Sequence, residues 1–473
     1  MKTQQIALML GPLLACVLWW CLPKWGMETH AASVVAAAAW MLIWWVLEAV
    51  PIGVTSVLPI AIFPIMGIAS VADTTAPYGS QYVFLFFGGF LIALALERWE
   101  LHRRFALSVL VAAGGRPIRL IGGFMLATAA LSMWISNTAT TLMMLPIAAS
   151  VLSKVDRQEH PNFAPALLLG TAYAANLGGI ATLIGTPPNV AMVGIMEEQF
   201  DVAIPFMEWT LMAMPFSVLM LCIVFILLTR VLTPISNEPL KRGTADLRKE
   251  LKALGPWKSG ERRVAWIFGL TGLFWISRRA LEVWFMWELN DASIAMLAGI
   301  SLFIIPSGDW EPRPLLVWSD TAKLPWEILL LFGGGLTLAG ALNSAGVLSM
   351  IAQELTSIEG LNSAILILLF AAVALMLTEV MSNLALTVVM VPVVAQVALQ
   401  WEINPLLLVV PVTLASSCAF MLPMATPPNA IIFGSGRISM KQMASVGFFL
   451  NVIAALLTWG WGCWVLPSWT NIL

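Results

Sequence analysis

Two stretches decide how this chain folds: SNTATTLMMLP (Ser136–Pro146) and SNLALTVVMVP (Ser382–Pro392). Each puts hydroxyl and amide side chains into a segment that otherwise reads as membrane interior. Each follows an apolar run and opens another, and each arm is shorter than the ~20 apolar residues of a full span. The expected form is therefore a helical hairpin that enters the bilayer and returns. Ser136, Asn137 and Thr138 would sit at one tip, and Ser382, Asn383 and Leu384 at the other.

The surroundings fit that reading. Of 473 residues, 60% are hydrophobic and only 11% charged, whereas a soluble protein carries about 25% charged residues. The 22 Trp against 3 Tyr supply interfacial anchors, and a net charge of −2 leaves no footprint for nucleic acid. An all-α polytopic membrane protein is expected, with about eleven spans by length and two re-entrant hairpins. The N-terminal run reads as a retained first helix, because no small-residue cleavage site precedes Pro23. Basic residues crowd 97–119 and 230–263, which places both on the cytoplasmic side, while the uncharged end PSWTNIL suits the outside. The five Cys lie in apolar runs without metal-like spacing and read as buried thiols.

The polar stretches belong to a longer repeat. FGGFLIALALERW from Phe87 matches FGGGLTLAGALNS from Phe332, offset by 245 residues; the tips are offset by 246. GTPPNVAMVG from Gly185 matches ATPPNAIIFG from Ala425, offset by 240. Three matches in one order at nearly constant spacing predict two structural repeats, the second inverted. Consecutive prolines remove backbone donors and push the preceding residue out of helical geometry, so each TPPN breaks a helix. Broken backbone at membrane depth survives only inside protein or beside a water-filled cavity.

Such a break offers carbonyl oxygens on one side and helix N-termini on the other. Carbonyls with Ser, Thr and Asn oxygens suit Na⁺; amides, hydroxyls and helix N-termini suit an anion. No Lys or Arg lies at either tip or break, so an anion here would be balanced by co-bound cations. Ser, Thr and Asn in membrane helices otherwise serve as packing glue worth about 0.6 kcal/mol each; their duplication beside paired breaks favours a site. Glu379 is the sole acid beside a tip, either an orienter, a proton site or a buried structural group. An intramembrane enzyme is disfavoured: no His lies in an apolar core and no nucleophile motif is present. A passive channel would also use re-entrant loops, but would conduct without saturating.

Paired Ser-Asn-Thr-type tips and paired TPPN breaks, in order along nearly the whole chain, resemble the divalent anion:sodium symporter family of di- and tricarboxylate carriers. The resemblance implies a homodimer in a cell membrane, built from inverted repeats, whose transport domain slides as an elevator. It implies scaffold parts at 1–119 and 264–361, transport parts at 120–233 and 362–473, and a cytoplasmic linker at 234–263. It implies one sodium site at Ser132, Ser136, Asn137 and the Gly185 backbone, and a second at Thr378, the Met381 backbone, Asn383 and the Ala425 backbone. Substrate carboxylates would meet Asn137, Thr138, Asn383 and position 384, with Pro427 lining the cavity. The function implied is sodium-coupled uptake of C4-dicarboxylates such as succinate, malate or fumarate.

Leu384 departs from the Thr found there in many dicarboxylate carriers. The lost hydroxyl is worth about 1 kcal/mol, or about fivefold in affinity. Citrate, sulfate or another anion, or sodium-independent exchange, is therefore the alternative.

Overall fold

A computed structural model describes residues 2–153, 155, 159–236, 238, 245–286, 289–308, 313–356 and 362–470. Residues 237 and 239–244 of the expected linker, residue 361 at an expected boundary and residues 471–473 of the expected outward tail lie outside the described residues. The described chain is helical throughout, with one isolated bridge between Pro306 and Pro314. Eight helices among the described residues are long and apolar enough to cross a membrane. Seven of them, counted with Ile52–Ile65, Ser259–Phe285, Asp291–Ile304 and a broken helix at 406–434, match the number of spans expected; the eighth, Asn383–Gln400, is a hairpin arm.

Both hairpins form where the polar tips require them. The first joins Pro117–Ser132 to Asn137–Leu152, and the second joins Ser363–Leu377 to Asn383–Gln400. Ser136 caps the returning helix by accepting the Ala139 N–H at 3.3 Å, a partner for one of the donors orphaned at a helix start. The first broken helix runs Phe163–Ile180 and resumes at Pro187–Phe200; the second runs Leu406–Ser416 and resumes at Pro427–Gly434. Each resumes on a proline, whose missing N–H costs nothing at the first helical position.

The repeats are interlocked. Helix Gln81–Arg98, bearing Gly88, packs on Asp291–Ile304, while its counterpart Trp326–Ser344, bearing Gly334, packs on Ile52–Ile65. A Cβ at Gly88 would collide with the Ala295 backbone, and one at Gly334 with the Ser56 carbonyl. These two approaches exchange partners between repeats. The same exchange joins Asn137–Leu152 to Pro427–Gly434 and Asn383–Gln400 to Pro187–Phe200. Counted in that series, Ile52–Ile65 is third and its counterpart Asp291–Ile304 eighth, the odd interval that an inverted repeat requires. The final helix of each repeat also passes into a π-helical turn, at Leu227–Leu232 and Trp461–Val465, a correspondence with no sequence signature.

Between the repeats, the amphipathic helix Ala245–Ala253 packs on Leu101–Ala113. Arg104, buried, donates to both oxygens of Glu261 at 3.1 Å and to the carbonyls of Gly255 and Leu254. The expected linker is thereby tied to the helix that leads into the first hairpin.

Candidate functional site

The tips are built alike at the level of single atoms. Ser132, at the end of the first hairpin's entering helix, is fully buried and donates its hydroxyl to Asn137 Oδ1 at 2.7 Å. Thr378, just past the end of the second entering helix, is also fully buried and donates to Asn383 Oδ1 at 2.7 Å. Each Asn carbonyl then accepts a hydroxyl one turn further on, from Thr141 and from Thr387, both at 2.8 Å. Asn137 and Asn383 are thus held from both sides, with their side chains half-buried.

The first break closes on its tip. A Cβ at Gly179 would lie 2.5 Å from Asn137 Oδ1, and one at Gly185 would lie 2.5 Å from the Gly179 carbonyl. Only glycine permits these approaches, and they gather Ser132, Asn137 and Gly185 around one spot. Thr182 reaches back to donate to the Met133 carbonyl in the tip loop. At the second tip, Thr378 Oγ1 touches the Ser416 carbonyl as well as Asn383 Oδ1. Three oxygens therefore share a single hydroxyl proton. A donor set rich in oxygen and short of hydrogen suits a hard cation.

The remaining expected residues fall as follows. Ser136 is the N-cap just described. Thr138 is half-buried in the first turn of its helix, whereas Leu384, its counterpart, is buried within the hydrophobic core. Met381 is half-buried in the tip loop, with its N–H on the Leu377 carbonyl at 3.1 Å. Ala425 is buried in the second break and Pro427 is exposed at the start of the resumed helix. Four helices begin at these motifs, at Asn137, Pro187, Asn383 and Pro427. Their N-termini carry partial positive charge, which suits an anion's oxygens.

Two further pairs belong to the site. Asn189, fully buried, donates Nδ2 to the carbonyls of Gly179, Ile180 and Thr182 at 3.1, 3.2 and 2.7 Å. Asn429, its counterpart, donates to Ala419 and Leu422 at 3.1 and 3.2 Å. These last residues of TPPN satisfy the carbonyls that the break uncovers. The other pair crosses the repeats: Tyr173 donates to the Phe420 carbonyl at 2.9 Å, and Asn176 Nδ2 to Thr426 Oγ1 at 3.1 Å. Nothing in local sequence marks Tyr173 or Asn176, because their partners lie in the other half of the chain.

A polar cavity of about 140 Å³ is lined by Gln81, Tyr82, Glu197, Arg278 and Asp291, among others, and contains none of the tip residues. Glu197 accepts there from Gln81 Nε2 at 2.9 Å and from the Tyr82 hydroxyl.

Comparison with known proteins adds the relatives. Residues 2–470 match the profile of the sodium:sulfate symporter transmembrane region. The chain is 36% identical over 465 residues to a sodium-dependent dicarboxylate transporter, SdcS, of Staphylococcus saprophyticus, covering 96% of this chain and 90% of that one. It is 37% identical over 467 residues to the Staphylococcus aureus protein of the same name, covering 96% and 89%. Among solved structures it is similar to the Alcanivorax borkumensis YdaH transporter, with a TM-score of 0.61 at 15% identity over 91% of this chain and 98% of that one. Neisseria gonorrhoeae MtrF follows with a TM-score of 0.56 at 12% identity, covering 87% and 84%. These two likenesses concern the fold.

Proposed function

Since the chain belongs to the sodium:sulfate symporter family, we propose that it carries C4-dicarboxylates across a cell membrane together with Na⁺. One observation carries the reading: the duplicated cradle in which a buried hydroxyl, an Asn amide oxygen and backbone of the break converge, with no Lys or Arg in the sequence of either tip or break. The Staphylococcus relatives, named as sodium-dependent dicarboxylate transporters, support the substrate class.

In this reading Ser132, Ser136, Asn137 and the Gly185 backbone hold one sodium ion. Thr378, Asn383 and the backbone of Met381 and Ala425 hold another. The bound cations supply the positive charge that the site lacks, so the anion binds well only after them. Asn137, Thr138, Asn383 and the helix N-termini then take its carboxylates, beside Leu384 and Pro427. The hairpins and broken helices, 120–233 and 362–473, travel as the moving part of an elevator, and 1–119 and 264–361 form the scaffold of a homodimer. The linker 234–263 lies on the cytoplasmic side and the C-terminus outside.

Reconstituted protein should accumulate labelled succinate when an inward Na⁺ gradient is imposed, and should stop when K⁺ replaces Na⁺. Uptake that ignores Na⁺ but proceeds by counterflow would mean exchange. The buried Leu384 favours one rival substrate class, an anion gripped mainly at the Thr138 end. Competition by excess sulfate or citrate stronger than by succinate would establish it.

A further inference from the structure

The two breaks are unequal. The first leaves residues 181–186 outside helix, and the second leaves 417–426. Ser416, where the second helix stops, aligns with Asn176, which still lies inside Phe163–Ile180. The second repeat has therefore uncoiled four more residues, 417–420. Ser417 and Cys418 still donate to the Leu414 and Ala415 carbonyls, but the amides of Phe420, Met421 and Leu422 need acceptors at membrane depth. Glu379 supplies them. Its carboxylate accepts from the N–H groups of Phe420 at 2.9 Å, Met421 at 3.0 and 3.2 Å, and Leu422 at 2.9 Å, and from Asn451 Nδ2 at 2.7 Å. The side chain is 5% exposed. The carbonyls of the same segment are held from elsewhere, by Tyr173, Asn176 and Asn429.

We infer that Glu379 is a positioning residue that holds the second break open and so shapes the second sodium cradle, a device the first cradle lacks. At the tip offset of 246 residues its counterpart is Met133, whose side chain accepts nothing comparable. Thr378, the neighbour of Glu379, carries the cradle hydroxyl, and the Ser416 carbonyl it touches begins the segment that Glu379 ties down. One carboxylate thus fixes two walls of the cradle without touching the ion. Glutamine cannot replace it: an amide has one acceptor oxygen, and its NH₂ would face backbone donors.

This inference rests on the sodium-coupled reading above. The test uses full-length protein in proteoliposomes, with succinate uptake measured against Na⁺ concentration. Glu379→Gln should raise the half-saturating Na⁺ by about tenfold, the scale of hydrogen bonds lost from a charged acceptor. The succinate KM at saturating Na⁺ should stay within about twofold of wild type. Asn451→Leu keeps the carboxylate and its three backbone partners, and should shift the Na⁺ curve the same way by only about threefold. A Glu379→Gln protein with fewer active carriers but an unchanged Na⁺ curve would overturn the inference. Should that variant not fold, an unshifted curve in Asn451→Leu overturns it instead. Wild-type uptake indifferent to Na⁺ would remove the functional reading and this inference together, an outcome separate from either variant result.

Discussion

Thr378→Val removes one hydroxyl and almost no volume, which makes it a clean probe of the second cradle. Thr378 is fully buried, and its proton goes to Asn383 Oδ1 at 2.7 Å. Two effects oppose each other. Without sodium, valine loses a neutral hydrogen bond worth about 1 kcal/mol. With sodium, it loses an oxygen facing a full charge, worth about 1.5–3 kcal/mol by analogy with charged hydrogen bonds. Sodium binding feels the difference, about 0.5–2 kcal/mol, which is about two- to thirtyfold in affinity. Thr378→Ser keeps the oxygen and should stay within about twofold of wild type. The assay is the Na⁺ dependence of succinate uptake in proteoliposomes at saturating succinate, beside Na⁺-dependent thermal stabilisation of the purified protein. Both should shift together in Thr378→Val. If the Na⁺ curves of the valine and serine variants coincide with wild type, the Thr378 hydroxyl does not coordinate the ion.

Other expectations follow the same logic. Leu384→Thr should lower the succinate KM about fivefold, because a hydroxyl at the second tip adds about 1 kcal/mol; an unchanged KM in a folded variant would place position 384 outside the substrate's reach. Arg104→Leu leaves Glu261 buried without its partner and should cost about 3–5 kcal/mol, whereas Arg104→Leu with Glu261→Leu should recover most of it; equal thermal stability of the single and double variants would contradict the buried pair. Gly334→Ala drives a methyl into the Ser56 carbonyl and should lower the melting temperature by several degrees more than Gly340→Ala, whose Cβ would meet nothing within 4 Å; matching temperatures would argue against the close approach.

How much of this was legible in sequence depends on where each partner lies. The tips were legible because Ser136-Asn137 and Ser382-Asn383 interrupt apolar runs, and the breaks because Pro187-Pro188 and Pro427-Pro428 forbid helix just before them. The repeat was legible because both signals recur at nearly one spacing. The work of Asn189 and Asn429 was not, since an amide's target carbonyls depend on how the backbone unwinds. Glu379 stood out as an acid in a greasy run, but its role became readable only once Phe420, Met421 and Leu422 were seen turning their amides to it. The burial of Leu384 was equally hidden, because sequence gives the residue at the tip and not the direction it faces.

The exchanged packing bears on how sodium and anion can be coupled. Asn137–Leu152 lies against Pro427–Gly434, and Asn383–Gln400 against Pro187–Phe200. Tyr173 and Asn176, from the first broken helix, clamp the Phe420 and Ala419 carbonyls of the second. Each cradle is therefore walled partly by the other repeat, so neither can shift alone without breaking buried hydrogen bonds at membrane depth, where no water replaces them. By contrast, the Gln81–Glu197 pair, which joins Pro187–Phe200 to the flanking helix Gln81–Arg98, includes an exposed partner. Such contacts are worth about 0–1 kcal/mol and exchange readily with water. The cheap contact lies toward Gln81–Arg98, whereas buried bonds join the motif elements to each other and to Phe206–Ile226, where Trp209 and Ser217 donate to the Ile180 and Leu177 carbonyls. In the proposed elevator, a body joined in that way would move as a unit, carrying an ion in one cradle with whatever the other holds.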